Sequence, residues 1–478
     1  VELHVSLEGR GDLTARIYRQ LLDAILDGRL RTGERLPPSR ELAQRLDVAR
    51  NTVAVAYERL TAEGFLTARV GDGTYVSDEA PAATRPRRAP RGSQVRPRRI
   101  WETMPVQLAK PAAAYNFNVG LPDVGLFPLE TWRRLVAREL RYATIGTGQY
   151  GDPAGHPSLR AAIARYVGVA RSVRAGADDV LVTQGAQQAI DLIGRVVVEP
   201  GDLVAVEEPG YPQARHVFRS LGARVVGVRV DAEGLDVSAI PAGVRLVYTT
   251  PSHQFPTGVP MSLARRTALL DWARSAGALV IEDDYDSEFR YSTRPLEPLQ
   301  GLDRDGRVVY VGTFSKTLLP ILRTGYAIAP ASLQPALHRA KWLADRHSET
   351  FTQAALARLM EEGLMARHVR KATRVYAERH DLVLTGLGRD FGDWLEVIPG
   401  SAGLHVCARV RPGVAVDVES VVERAATSDV AVESLAGFCG ERPRQHGLVV
   451  GYGGIATDRI EPGLARVAAA FRRQAAAS

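Results

Sequence analysis

Apolar positions recur at two different spacings along this chain, and the change between them divides it. In residues 13–28, LTARIYRQLLDAILDG, apolar side chains return every three to four residues and the run stops at Gly28, which predicts an amphipathic helix. Residues 36–76 read LPPSRELAQRLDVARNTVAVAYERLTAEGFLTARVGDGTYV. Two prolines precede Ser39, a residue suited to cap a helix, and Glu41 and Gln44 fall in the first turns. SRELAQRL predicts one short helix, DVAR a tight turn and NTVAVAYERLTAEG a second helix. FLTARVGDGTYV then predicts a hairpin that turns at GDG.

From about Tyr115 the pattern changes. DVLVTQ precedes a helical AQQAIDLIGRVVV, DLVAVEEP precedes YPQARHVFRSLG, and RLVYTTP precedes SLARRTALLDWARSAG and then ALVIEDDY. Strand and helix alternating over this length predict an α/β fold, a mainly parallel sheet with helices on both faces. Helical patterns dominate residues 331–388, and short strands such as GLHVCARV and GLVVGYGG follow, which predicts a smaller α+β C-terminal subdomain. Between the two regions, residues 78–110 are rich in Pro, Ala and Arg without periodicity and read as a linker. The expected organisation is a head at 1–77, a tether at 78–110 and a body at 111–478. The body would divide into a large subdomain, about 115–330, and a small one, about 331–478.

Composition adds three constraints. The formal charge of +7 is modest for 478 residues. The head carries eleven basic and eleven acidic residues, whereas the tether has eight basic against three acidic, so most of the excess sits on the tether. We read it as a solvated spacer in which a minority of arginines can touch nucleic-acid phosphates. Two cysteines, Cys407 and Cys439, give no disulfide framework, and no apolar run reaches the length of a membrane span. With no signal-peptide core in the sequence, the expected location is cytoplasmic, with no membrane partner.

The second head helix would present Arg50, Asn51, Thr52 and Tyr57 at its N-terminal end and exposed face, where base and phosphate contacts are made. A small helical protein-interaction domain is the alternative. LPPSRELA, NTV..AYERL..EG and G.GTYV resemble the GntR family of winged-helix regulators. That resemblance implies double-stranded DNA as partner, contacted through Arg40, Arg50, Asn51, Thr52 and a wing around Arg69, Gly71, Gly73 and Thr74.

Four segments of the body suggest one ligand. TQGAQQAIDL (183–192) puts Gly185 between a strand and a helix, whose free amides suit a phosphate. IEDDYDSEF (281–289) puts acids and a tyrosine at the end of an apolar strand. A carboxylate there can hold a heteroaromatic nitrogen protonated, although an acidic capping loop or a divalent-metal site fits equally well. EEPGYP (207–212) offers Tyr211 for stacking on a flat ligand or on its own domain. GTFSKTLLPILRTGY (312–326) holds Lys316, one of four lysines in a chain that otherwise uses arginine. A neutral lysine forms a Schiff base with an aldehyde, and arginine cannot replace it. Ser315 and Thr317 beside it can bind phosphate, as can Arg323.

Together these segments resemble fold-type I pyridoxal-phosphate enzymes, the aspartate aminotransferase superfamily, over roughly residues 115–475. The resemblance implies pyridoxal 5'-phosphate as cofactor. Lys316 would form the internal aldimine, Asp283 face the pyridine nitrogen and Tyr285 bond the ring hydroxyl. Gly185, Ala186, Gln187, Ser315 and Arg323 would surround the phosphate, and Tyr211 would stack on the ring. Tyr150, in YGDPAGHPSLR, matches a tyrosine that reaches the neighbouring subunit's phosphate, so the body is expected to form a homodimer.

A winged helix tethered to such a body is similar to the MocR subfamily of GntR regulators, and TPSHQFPTG (250–258 from its Pro-adjacent Thr) fits it. Two positions depart from the enzymes: Phe255 stands where they usually have asparagine, and Val449 where an arginine grips the substrate α-carboxylate. Arg215 is a candidate replacement for the latter. The resemblance implies a transcriptional regulator sensing PLP or a small amine or amino-acid effector, with a link to vitamin B6 metabolism. An active aminotransferase carrying a DNA-binding head is the alternative, and a cofactor-free scaffold a third reading.

Overall fold

The computed structural model describes residues 12–69, 71–78, 95–106, 113–141, 149–291, 297–400, 402–441 and 444–475. The chain divides into two compact units, Val1–Arg98 and Arg99–Ser478. Most of the expected tether lies outside the described residues; within its described part, Ile100–Thr103 form a single helical turn.

The first unit contains helices Leu13–Leu26, Ser39–Leu46 and Arg50–Ala62, followed by a hairpin of Leu66–Arg69 and Gly73–Val76. Ile17, Leu21, Leu42, Val53, Ala56, Leu60, Leu66 and Val76 form its core, which is the apolar spacing of the sequence turned inward. The Asp12 side chain caps the first helix by accepting the Thr14 N–H. Ser39, expected as a cap, is instead the first helical residue: Pro38 occupies the cap position and no side chain bonds there. Asp47, at φ 52°, ends the second helix and makes the tight turn. The hairpin pairs Leu66 with Val76 and Arg69 with Gly73, as its alternation predicts.

The second unit is built on an eight-stranded sheet. In spatial order its strands are Val180–Thr183, Gly325–Ile328, Val308–Thr313, Leu279–Asp284, Val244–Thr249, Leu203–Glu208, Arg224–Asp231 and Gly234–Leu235. The five from Val308–Thr313 to Arg224–Asp231 run parallel, and Gly325–Ile328 is antiparallel to both neighbours. All six residues of Leu279–Asp284 and of Val308–Thr313 are buried, as strands covered on both faces require. Helix Leu263–Ala276 shows how its crossovers are punctuated: the Ser262 hydroxyl accepts the Arg265 N–H at one end, and Gly277 turns the chain at φ 67° at the other.

The C-terminal part is a four-stranded antiparallel sheet, Leu395–Val397, His405–Val410, Gly447–Gly451 and Glu433–Ser434, packed with helices Leu364–Phe391, Val418–Thr427 and Ile460–Ala475. Alternation divides its side chains. Val406, Ala408, Leu448 and Val450 enter the large core with Phe391 and Phe471. Cys407 and Val449 face the other way, against Leu435, Phe438 and Phe255.

Candidate cofactor site and candidate nucleic-acid interface

Lys316 and Asp283 meet because neighbouring parallel strands end side by side. Asp283 pairs with Val311 across the ladder, and the chain leaving Val308–Thr313 turns through Ser315 to Lys316. Asp283 is buried; its Oδ2 accepts the Tyr248 hydroxyl at 2.7 Å, while its Oδ1 has no partner among the described residues. Burial pushes its pKa up to about 7, opposed by the Tyr248 bond and assisted by Asp284. Lys316 is half-buried and its Nζ donates to the Gly120 carbonyl at 2.7 Å. Burial depresses its pKa, the Asp286 and Asp283 charges oppose that, and Arg323 adds to it. A depressed amine pKa raises the fraction of neutral, nucleophilic lysine.

On the other side of the cleft, helix Gly185–Val197 begins with N–H groups that have no acceptor within the helix. Gly185 sits at φ 76°, and a Cβ on it would lie 3.0 Å from an Arg323 guanidinium nitrogen. Arg323 itself has positive φ, 47°, and donates to the Gln184 carbonyl at 2.8 Å. Ala186 and Gln187 occupy the first turn beside it. Ser315 is buried against Thr313, with 3.0 Å between their hydroxyl oxygens, and the buried Thr317 Oγ1 has no partner among the described residues. Tyr211 stacks on Tyr248 at 6.4 Å and meets Phe255 edge-on at 5.7 Å. Burial pushes the pKa of its phenol up to about 12, and the Asp283 and Arg323 charges act on it in opposite directions, Asp283 raising and Arg323 lowering it.

Tyr150 lies apart from this group. It is exposed, with the Arg346 guanidinium 4.6 Å over its ring and His347 at its edge. Val449 is fully buried and pairs with Cys407. Arg215 is buried in an ion pair with Glu208, whose carboxylate also accepts the Gly440 N–H at 2.9 Å, so its charge is already neutralised.

In the head, Arg40, Arg50 and Asn51 are exposed and Thr52 is half-buried at the start of helix Arg50–Ala62. Tyr57 corrects the sequence reading. It was expected on the exposed face but is 6% exposed, and its hydroxyl donates to the Pro37 carbonyl at 2.8 Å. It falls one turn after Val53 on the core side of the helix, and its hydroxyl holds the segment that leads into helix Ser39–Leu46. Val55 holds the outward position instead, one turn after Asn51. In the wing, Arg69 stacks over Tyr75 at 4.7 Å; Gly71 is exposed, and Gly73 and Thr74 are half-buried. A Cβ at Gly73 would lie 2.8 Å from the Arg35 Nε, so Arg35 also reaches the wing.

Residues 13–76 match the family of bacterial regulatory proteins of the gntR type, and residues 114–432 match aminotransferase class I and II. The probable rhizopine catabolism regulatory protein MocR of Rhizobium meliloti is 36% identical, over 95% of this chain and 93% of its own. The chain belongs to the MocR-type GntR regulators. The pyridoxine biosynthesis regulator PdxR of Corynebacterium glutamicum is 30% identical to this MocR-type chain, over 95% of each. Among solved structures, the α-aminoadipate aminotransferase LysN of Thermus thermophilus, bound to N-(5'-phosphopyridoxyl)-L-leucine, has a TM-score of 0.70 at 30% identity, over 76% of this chain and 94% of its own. The fold of the MocR-type body is therefore aminotransferase fold type I.

Within one chain the structure brings together Lys316, Asp283, Tyr285, Tyr211, Gly185, Ser315 and Arg323. Tyr248 and the Gly120 carbonyl belong to the same site and were not found from the sequence. Tyr248 is hidden as one more apolar-looking position in RLVYTT, and a carbonyl carries no sequence signal. His253, Asp286 and His405 are a buried group of possible metal ligands whose donor atoms lie within 4.8 Å of one another. Those atoms are already engaged: His253 Nδ1 contacts Asp286, and His405 Nε2 donates to the Pro256 carbonyl at 3.1 Å. The unpartnered Asp283 Oδ1, the free helix N-terminus and the depressed lysine fit a phosphorylated pyridine aldehyde instead.

Proposed function

We propose that this regulator binds pyridoxal 5'-phosphate at Lys316 and that occupancy of the site sets its affinity for a double-stranded DNA operator. The observation that carries this reading is the buried Asp283 Oδ1, left without a partner in the cleft that Lys316 enters. When bound, the cofactor supplies an aldehyde for covalent attachment and a ring that withdraws electrons from an attached amine. Asp283 would hold a proton on the ring nitrogen, and Tyr285 would meet the ring oxygen. Arg323, Ser315 and the amides of Gly185, Ala186 and Gln187 would hold the phosphate, with Tyr211 over the ring. Tyr150 would serve the neighbouring site of a homodimer.

Attachment would also remove the Lys316 bond to Gly120. Gly120 lies in the segment by which the chain enters the body after the tether, so occupancy acts on a part of the molecule that leads to the head. Arg40, Arg50, Asn51, Thr52 and Val55 would face the operator, and Arg35, Arg69, Gly71, Gly73 and Thr74 would form the wing contact. The relative named for pyridoxine biosynthesis supports PLP itself as effector, in a cytoplasmic regulator of vitamin B6 supply.

The second reading is an aminotransferase with a DNA-binding head. Lys316, Asp283 and Tyr285 favour it. Val449 and the neutralised Arg215 oppose it, because a buried carboxylate left without a cation binds poorly. DNA binding to the protein's own upstream region, measured with and without PLP, decides the proposal. We expect affinity to change at least several-fold; indifference to PLP would refute cofactor sensing. Keto acid released over many turnovers would establish the second reading.

A further inference from the structure

Asp286 and His253, both buried, meet the half-buried Tyr285 beside the candidate cofactor site. His253 Nδ1 lies 3.1 Å from each Asp286 carboxylate oxygen and 3.0 Å from the Tyr285 hydroxyl. His253 and Asp286 are each 2% exposed. Two glycines make room for the imidazole. A Cβ at Gly403 would fall 2.1 Å from His253 Cε1, and one at Gly258 would fall 3.2 Å from Nε2. The His405 ring lies 4.7 Å away, and burial holds it well below the ordinary histidine pKa.

One nitrogen that serves two partners restricts where the protons are. A carboxylate only accepts, so the proton between Nδ1 and Asp286 belongs to the imidazole. Nδ1–H then also faces the Tyr285 oxygen as a donor, and the phenol cannot donate back to it. Nε2 is buried and has no partner among the described residues. A bare lone pair at Nε2 costs less than an unpaired N–H there, which favours the ring's proton on Nδ1. Asp286, Asp283, Glu207 and Asp284 act electrostatically on Tyr285, and Lys316 on His405. None of these acids hydrogen-bonds the Tyr285 hydroxyl among the described residues, so its own proton has no protein acceptor.

We infer that His253, oriented by Asp286, is a positioning residue that makes Tyr285 an obligate donor to the ring oxygen of a bound pyridoxal-type cofactor. The inference rests on the cofactor reading above. It also gives a physical account of Phe255, which stands where the resemblance expects a second donor. Phe255 packs edge-on against Tyr285 at 5.7 Å and offers no hydrogen bond from its side chain. With a single donor left, fixing the direction of its proton matters more.

The test uses the full chain reconstituted with PLP and follows the cofactor's absorbance against pH. A donor to the ring oxygen stabilises negative charge there, most strongly once the linkage to Lys316 has lost its proton, and so lowers the midpoint. Tyr285→Phe is expected to raise the midpoint by about one unit. His253→Phe should raise it equally, and the double variant should go no further. His253→Asn, whose amide N–H stands near the Nδ1 position, should restore most of the parent value. An unchanged midpoint in either single phenylalanine variant overturns the inference. If the parent chain takes up no PLP, the cofactor reading itself fails. His253 is then judged from histidine nitrogen-15 shifts of the cofactor-free protein, which also covers a His253→Phe chain that does not fold. A proton on Nδ1 is expected, and a proton on Nε2 overturns the assignment.

Discussion

Asp283→Asn separates what this carboxylate does for the ligand from what it costs the fold. Burial raises its pKa from 3.8 to about 7 in the folded chain. Between those values the folded state holds a proton that the unfolded state has released, so stability falls as pH rises through this window. The whole shift is worth about 4 kcal/mol above pH 7, of which about 3 kcal/mol develops between pH 5 and pH 7. Asparagine carries no such pH dependence. It leaves an amide in an incompletely paired site, at a cost of about 1–3 kcal/mol that is the same at both pH values. The cofactor-free variant should therefore gain about 3 kcal/mol relative to the parent on going from pH 5 to pH 8. Urea unfolding of both proteins at the two pH values, followed by tryptophan fluorescence, measures this double difference, in which the amide cost cancels. In the presence of PLP the order should reverse, because the variant loses the charged partner of the ring nitrogen. A double difference near zero would show that Asp283 is not ionised at a cost in the folded chain, and the argument from its free oxygen would fall with it.

Other substitutions test single contacts. Gly185→Val puts a side chain against Arg323 at a backbone angle that glycine alone adopts easily; it should cost about 1–3 kcal/mol of stability and greatly reduce retention of PLP on gel filtration. Asn51→Ala should weaken operator binding in a mobility-shift assay without altering PLP uptake. Tyr57→Phe should leave operator affinity near the parent value and cost about 1 kcal/mol through the lost Pro37 bond; a large loss of DNA affinity with unchanged stability would contradict its place in the core. Val449→Arg buries a charge and should destabilise the body by several kcal/mol, with partial recovery of melting temperature on adding amino acids but not the corresponding amines.

The head was legible almost residue by residue, because its core is local. Ile17, Leu21, Val53 and Leu60 face inward at helical spacing, and the hairpin register follows from a short turn. Tyr57 was misplaced because helix Arg50–Ala62 is only weakly two-faced: apolar residues occur around it, and tyrosine suits either side. In the body, the end of an apolar strand located the acids around Asp283, and lysine scarcity singled out Lys316. The partners that give those residues their properties come from far along the chain. Gly120 lies 196 positions from Lys316, and Tyr248 lies 35 from Asp283. No local pattern announces such contacts; the parallel sheet creates them by bringing strand ends together.

Lysine scarcity led to Lys316, and the structure shows why scarcity alone is not enough. Lys341 is equally rare and more deeply buried, at 0% exposure. Burial depresses the amine pKa at both positions. Their partners differ. Lys341 Nζ donates to Asp345 Oδ1 at 2.6 Å and to Ser348 Oγ at 3.0 Å, and the Asp345 carboxylate also accepts the Gln188 amide at 2.9 Å. A carboxylate in direct contact opposes that depression and closes the amine off. Among the described residues Lys316 hydrogen-bonds only a neutral carbonyl, so no contacting carboxylate holds its proton and its nitrogen is open to attack an aldehyde. Borohydride reduction of the PLP-treated chain followed by peptide mapping should therefore find the cofactor on Lys316 and none on Lys341. Equal labelling of the two would mean that burial, rather than the absence of a contacting acid, decides which lysine reacts.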